Sequence, residues 1–356
     1  MDIVLLVISF VIILVGAELF TNGIEWFGRK LQLAEGAVGS VLAAVGTALP
    51  ETMIPIVAIA AAALGGDAAA DQVSHEVGVG AILGAPFMLA TLAMFVTGLA
   101  VIGQARRRPS GDVMPVDAVV VGKDVSYFFV AYAVAIGAAF VPQELGVLKY
   151  VAAAALLVIY ALYVKAHFEA DPDVDASDLA PLRFHRLDIS GVREDPHVPR
   201  LRVVNLQVLF ALGLIIAGAV AFVDAVEHLA STVGIAPAIL ALVIAPIATE
   251  LPEKFNSILW VRQGKDTLAI GNITGAMVFQ SCIPTVVALL FAADAWAVTG
   301  DSLISFASAG IAFASIAAIF VPMWRRGSLT GRSLLIGGAF YAVYLGLVVA
   351  SVVGLI

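Results

Sequence analysis

Apolar runs separated by short polar breaks follow one another along nearly the whole chain. Ten of them are of about the length that an α-helix needs to cross a bilayer, ~20 residues. They cover about 2–27, 34–65, 75–103, 125–141, 145–167, 205–226, 235–262, 267–292, 299–323 and 331–354. The second, third and seventh are long, so tilted or bent helices are expected there. The apolar positions are continuous rather than alternating, which argues against a membrane β-barrel. The predicted fold class is all-α: a polytopic membrane protein of about ten transmembrane helices.

The polar breaks carry sidedness. Arg29 and Lys30 follow the first run, Arg106, Arg107, Arg108 and Lys123 the third, Arg262 and Lys265 the seventh, and Arg325, Arg326 and Arg332 the ninth. Lys165, Arg183, Arg186, Arg193, Arg200 and Arg202 surround the break after the fifth. The opposite breaks hold Lys149 against Asp67, Asp71, Glu76, Glu144, Asp224, Glu227, Asp294 and Asp301. Basic residues gather on the cytoplasmic side, so both termini are expected outside, in a multi-pass cell (plasma or inner) membrane protein. The formal net charge of −8 acquires meaning only through this partition. The outer acids would concentrate cations by their field.

Composition agrees: 61% of the 356 residues are hydrophobic and 13% charged, against about 25% charged in a soluble domain. The first run has Asp2 and no Lys or Arg before its apolar stretch, so it reads as a retained helix rather than a signal peptide. The single cysteine, Cys282, excludes an intrachain disulfide and suggests no Cys-based metal site. The histidines add little: His167, His185 and His197 read as linker residues, and His75 and His228 as outer-end residues.

The longest polar stretch, 169–202, falls between five runs and five runs. It divides the chain into a first membrane repeat (1–168), a solvated cytoplasmic linker (169–204) and a second repeat (205–356). An odd number of spans per half makes the second half enter the membrane inverted. Residues 16–51 and 218–253 align without a gap; both begin Gly-Ala and end Leu-Pro-Glu. "GVGAILGAPF" at 78–87 is echoed by "AIGNITGAMVF" at 269–279. Such symmetry marks inverted-repeat transporters, whose site lies near the midplane between the repeats.

The aligned windows end in "TALPE" (47–51) and "TELPE" (249–253). A helical proline deprives the carbonyl four residues earlier of its partner. Pro50 thus frees Gly46 and Pro252 frees Ala248, and in hydrocarbon such carbonyls need partners. Glu51 and Glu253 add charge beside them. Thr47 and Thr249 lie one helical turn before each glutamate. An oxygen-only pocket with two carboxylates suits a hard divalent cation such as Ca²⁺, and paired buried carboxylates need a divalent ion or protons to neutralise them.

On these motifs the chain resembles the calcium/cation antiporter superfamily, in particular the prokaryotic sodium/calcium exchangers. "GTALPE" at 46–51 matches the family's Gly-Thr-Ser-Leu-Pro-Glu; "ATELPE" at 248–253 matches more loosely. "GNITGAM" at 271–277 matches its Gly-Asn-x-x-Gly-Ser-Asn, and "GAILGAP" at 80–86 only weakly. The resemblance implies alternating access, with Glu51 and Glu253 as central ligands and Thr47 and Thr249 beside them. It also exposes departures. Family serines are here Ala48, Glu250, Ala85 and Ala276, and later Asn or Asp positions are Leu89 and Gln280. Glu250 either pairs with Lys254, four residues on, or ligates an ion. Asn272 and Gln280 either line the site or bridge helices. Glu18, where the family commonly has an acid, reads as structural.

The expected function is secondary-active antiport of Ca²⁺ or a related divalent ion against Na⁺ or H⁺. Cation/proton exchange without Na⁺ and a passive cation channel are the alternatives. No P-loop is apparent, so direct drive by ATP is unsupported. No nucleophile or histidine cluster accompanies the glutamates, which argues against an enzyme. No cofactor is expected; the partners are inorganic cations and the lipid bilayer, with no nucleic acid.

Overall fold

A computed structural model describes residues 2–30, 43–65, 68–168, 181–187, 199–249, 251–353 and 355. In chain order the helices are α1 (Asp2–Lys30), α2 (Ala43–Gly65), α3 (Ala68–Met88), α4 (Met94–Gln104), α5 (Ala118–Gly137), α6 (Val147–Phe168), α7 (Leu201–Val233), α8 (Pro237–Thr249), α9 (Leu251–Arg262), α10 (Asp266–Phe291), α11 (Leu303–Arg326), α12 (Gly331–Leu334) and α13 (Ile336–Val352). A single π turn, Leu89–Ala93, joins α3 to α4. A two-residue strand, β1 (Val113–Met114), pairs antiparallel with β2 (Leu329–Thr330).

The fold is all-α and polytopic. Eight helical stretches among the described residues are long and apolar enough to cross a bilayer. The two proline-motif segments hold shorter apolar helices, Glu51–Ala62 and Pro237–Pro246. Burial separates the spans by role. In the most apolar windows of Asp71–Gln104 and Asp266–Phe291, 83% of residues are buried, against 17% in Val147–His167 and 11% in Gly331–Val352. A helix that is hydrophobic all round yet mostly exposed has lipid for its neighbour; the first two stretches are the protein's interior.

The connecting loops gather at two ends. Arg108, after α4, donates to the Val261 carbonyl at 2.7 Å and forms a buried, bidentate ion pair with Asp266 at the start of α10. The β1–β2 ribbon ties the same loop to the one after α11, and Gly331 N–H donates to the Asp112 carbonyl at 2.9 Å. The breaks after the third, seventh and ninth runs, all basic, therefore meet. At the other end Lys149, at the start of α6, is 2% exposed and donates to the carbonyls of Ala293 and Trp296. The Val298 N–H donates there to the Ala139 carbonyl. Lys149, which the acidic breaks left without a role, fastens the loop between α10 and α11.

Helices α1 and α7 pack antiparallel along their length. A methyl added at Gly16 would stand 2.8 Å from Ile215 Cγ1, and one at Gly218 would stand 2.7 Å from Ile13 Cγ1. The two contacts exchange under the same register that aligns 16–51 with 218–253. Reciprocal contacts of this kind define a two-fold relation between two surfaces, and small residues at the crossing let membrane helices approach closely.

The expectation of a wholly solvated linker is corrected. Residues 181–187 are docked on α1 and α7, and Leu182 is 1% exposed among Trp26, Val203 and Val204. Asn22 Oδ1 accepts from Arg183 N–H at 3.0 Å, Gln207 Oε1 accepts from Phe184 N–H at 2.8 Å, and Gln207 donates to Asn22 Oδ1 at 3.0 Å. Two buried amides thus replace water as partners of the linker backbone. Exposed Glu18 pairs with Arg183 at 2.8 Å, in line with a structural role.

Candidate functional site

The first proline motif lies in α2, whose helix runs from Ala43 through Pro50 to Gly65. Glu51 is 5% exposed and Thr52 4%. A carboxylate so placed in an apolar span is costly, and α2 packs against both α3 and α10. The second motif spans the end of α8 and the first turn of α9. Glu250 lies outside the described residues, as do the side chains of Thr47, Pro50, Thr249, Pro252 and Glu253. The described part of the site is therefore Glu51, the backbone of the first motif, the backbone of the second on either side of position 250, and the helices around them.

Lys254 follows the second motif. It is 6% exposed and its Nζ donates to the Pro246 carbonyl at 3.4 Å. A lipid-facing or solvated lysine is thereby excluded. Pro246 in turn deprives the Leu242 carbonyl of its helical donor, and α3 comes up against that carbonyl. A Cβ on Gly84 would collide with Leu242 O, and one on Gly80 with Ala238 O. Only glycine permits so close a backbone approach, which brings Cα–H groups against the carbonyls.

The polar residues of the interior concentrate on α10. Asn272, Ala276 and Gln280 follow at intervals of four and share one broad face. Gln280 is 2% exposed, Ala276 is 3% exposed, and Asn272 Nδ2 is buried without a hydrogen-bond partner among the described residues. Thr274 and Gly275 point elsewhere: Thr274 bonds to Asp124 on α5, and Gly275 lies against Tyr163 of α6. The Asn272–Gln280 stripe is therefore turned to the side where α2, α3 and α9 pack on α10. An unsatisfied buried amide donor is the arrangement expected when a water or ligand completes it. Ala85 on α3 and Leu89 at the start of the π turn, the matching places, are each 1% exposed and supply no oxygen.

Two further features belong to the surroundings. At the acidic end a cavity of about 560 Å³ is lined by Asp71, His75, Glu76, Asp294 and Asp301. His167 is not a linker histidine: it sits in the last turn of α6, 3.0 Å from the buried carboxylate of Asp124. No motif or spacing pointed to Asp124; its partners lie 39 to 150 residues away.

A family profile described as "Sodium/calcium exchanger protein" matches residues 1–168 and 204–353. An uncharacterized membrane protein of Methanocaldococcus jannaschii is 40% identical over 57 residues, 16% of this chain and 19% of its own. The "Putative antiporter CaxA" of Alkalimonas amylolytica is 33% identical over 72 residues, 20% of this chain and 23% of its own. The aligned stretches thus span about a fifth of these curated relatives. Among solved structures, the H⁺/Ca²⁺ exchanger CAX superposes with a TM-score of 0.71 at 15% identity, over 98% of this chain and 86% of its own. The sodium-calcium exchanger NCX_Mj superposes with a TM-score of 0.57 at 14% identity, over 97% of each chain. At such identities the likeness is one of fold.

Proposed function

The chain belongs to the sodium/calcium exchanger protein family, a family of transporters rather than enzymes, and we propose that it is a secondary-active antiporter of Ca²⁺ or a related divalent cation. Its central ligands are Glu51 and Glu253, flanked by Thr47 and Thr249 and by the carbonyls of Gly46 and Ala248. The observation that carries this reading is Glu51: a buried carboxylate in the helix of a proline motif, a helix that packs on both α3 and the polar α10. Five-helix halves, 1–168 and 205–356, alternate access around that site, with the basic loops cytoplasmic and both termini outside. The reciprocal crossing of α1 and α7 supports the symmetry of the halves.

The counter-ion in this reading is the proton. Na⁺ needs several oxygen ligands, and Ala48, Ala85, Ala276 and Leu89 remove them where the family supplies them. A lost hydroxyl is not readily replaced in a dry bundle, whereas a buried glutamate carries a proton on its own. In proteoliposomes, a pH gradient without Na⁺ drives Ca²⁺ uptake, and a Na⁺ gradient at constant pH drives it weakly. Strong Na⁺-driven exchange indifferent to pH overturns the proton assignment. Wild-type flux in both Glu51→Gln and Glu253→Gln overturns the site.

A further inference from the structure

Side chains from three helices close around one buried carboxylate that the exchange reading does not use. Asp124 on α5 has a side chain 2% exposed. Tyr163 of α6 donates its hydroxyl to Oδ1 at 3.1 Å, and Thr274 of α10 donates to Oδ2 at 2.6 Å. His167 Nε2 lies 3.0 Å from Oδ1, and its Nδ1 lies 3.2 Å from the Tyr163 carbonyl oxygen. The two ring nitrogens therefore face two acceptors. A neutral imidazole has one N–H, and a carbonyl and a carboxylate have none to offer. Both contacts are satisfied only when the pair holds one proton beyond the anionic carboxylate and neutral ring, whether on the imidazolium or shared with Asp124. His167 is also the member that reaches the outside, at 15% exposure against 2%.

We propose that Asp124 and His167 form a proton-binding site at the basic-loop end of the molecule, separate from the candidate cation site, whose proton stabilises the packing of α5 and α6 on α10. Among the described residues the other groups facing the pair are few. Lys123, beside Asp124, is the other charge acting on the ring. Tyr160 of α6 and Cys282 of α10 stand behind Tyr163, whose ring meets Tyr127 edge-on. Thr274 is the α10 group that touches the carboxylate, and α11 meets α5 through Phe313 against Phe128, Phe129 and Tyr132. Thr274 also has three acceptors for one hydrogen, Asp124 Oδ2, the Ile270 carbonyl at 3.1 Å and the Gly271 carbonyl at 3.5 Å. Through Thr274 the pair is joined to the helix that carries Asn272 and Gln280.

The test uses the full chain in lipid nanodiscs and does not require transport, so its failure and failure of the exchange reading are distinguishable. Nitrogen NMR of histidine-labelled protein follows the ring, with His167→Gln identifying its signal. The His167 midpoint is expected to move to lower pH by about one unit or more in Asp124→Asn, the loss of one close opposite charge. In the second arm, thermal stability is measured against pH. Stability held by the proton is present at low pH and is lost as pH rises through the His167 midpoint. The wild type should show that loss, and His167→Gln and Asp124→Asn should be flat through the same window. If Asp124→Asn does not fold, His167→Gln alone carries this arm. An unchanged His167 midpoint in Asp124→Asn, or a wild-type stability profile that His167→Gln reproduces, overturns the proposal.

Discussion

Residues 71–104 and 266–291 are the two most buried membrane stretches, and the register of the repeats makes them counterparts, yet they are built differently. The first stretch has Ala85 and Leu89 at the positions matching Ala276 and Gln280, is interrupted by a π turn from Leu89, and presses Gly80 and Gly84 of α3 onto the backbone of α8. Its partner α10 runs unbroken from Asp266 to Phe291 and carries Asn272 and Gln280 on one face. The same topological place has become a packing platform in one half and a polar lining in the other. A two-fold fold does not require a two-fold site: close packing uses the backbone, whereas ligation uses individual side chains, and each half can specialise in one.

The comparison breaks first at the helix both stretches share. Glu51 is buried on α2, which packs on both, and Glu51→Gln removes a charge while keeping the volume. We expect at least a hundredfold loss of divalent flux with the folded protein retained, measured as Ca²⁺ uptake beside a thermal-unfolding curve. The next effect is on stability. A Cβ at Gly84 strikes the Leu242 carbonyl, which belongs to a helix backbone and cannot turn aside. At its counterpart Gly275 the Cβ meets the Tyr163 hydroxyl at 3.0 Å, the end of a side chain. Gly84→Ala should therefore destabilise by about 1–3 kcal/mol, as overpacking does, and Gly275→Ala by clearly less. Equal losses would mean that α3 is no tighter a platform than α10. Smaller still, Gln280→Leu should weaken divalent flux several-fold, while Leu89→Gln in the π turn should not raise it.

Much of this was legible in the chain because hydrophobicity and helix chemistry are local. The helical runs, the clustering of basic breaks and the 16–51/218–253 register follow from residues read in order, and Gly16 and Gly218 do cross reciprocally in the fold. Glu51 was legible because a carboxylate next to a proline in an apolar run has no cheap alternative. The Asp124 cluster was not. Its four residues come from three helices with no shared spacing, and His167 next to an acidic polar stretch looks solvated until α6 is seen to continue to Phe168. The docking of 181–187 was hidden for a similar reason. Leu182 and Phe184 are isolated apolar residues in a polar stretch, and the amides that accept from the Arg183 and Phe184 N–H groups, Asn22 and Gln207, sit inside spans where an amide signals nothing specific.

The finest test of the two stretches restores one oxygen to each. Ala276 lies one turn from both Asn272 and Gln280, so Ala276→Ser adds a hydroxyl to an existing polar stripe. Ala85→Ser adds the same hydroxyl between Gly84 and Pro86, on a face with no other oxygen-bearing side chain at Gly84 or Leu89. Within a helix a serine hydroxyl can satisfy itself on the carbonyl four residues earlier, so both variants should fold with stability changes under about 1 kcal/mol. Their fluxes should differ. Na⁺-driven Ca²⁺ uptake at constant pH should rise two- to fivefold in Ala276→Ser, because the new oxygen joins others that a monovalent ion needs. It should stay unchanged in Ala85→Ser, where one oxygen stands alone. A rise in Ala85→Ser equal to that in Ala276→Ser would show that the cation meets both stretches alike, and that the missing hydroxyls rather than the asymmetry of the halves set the coupling ion.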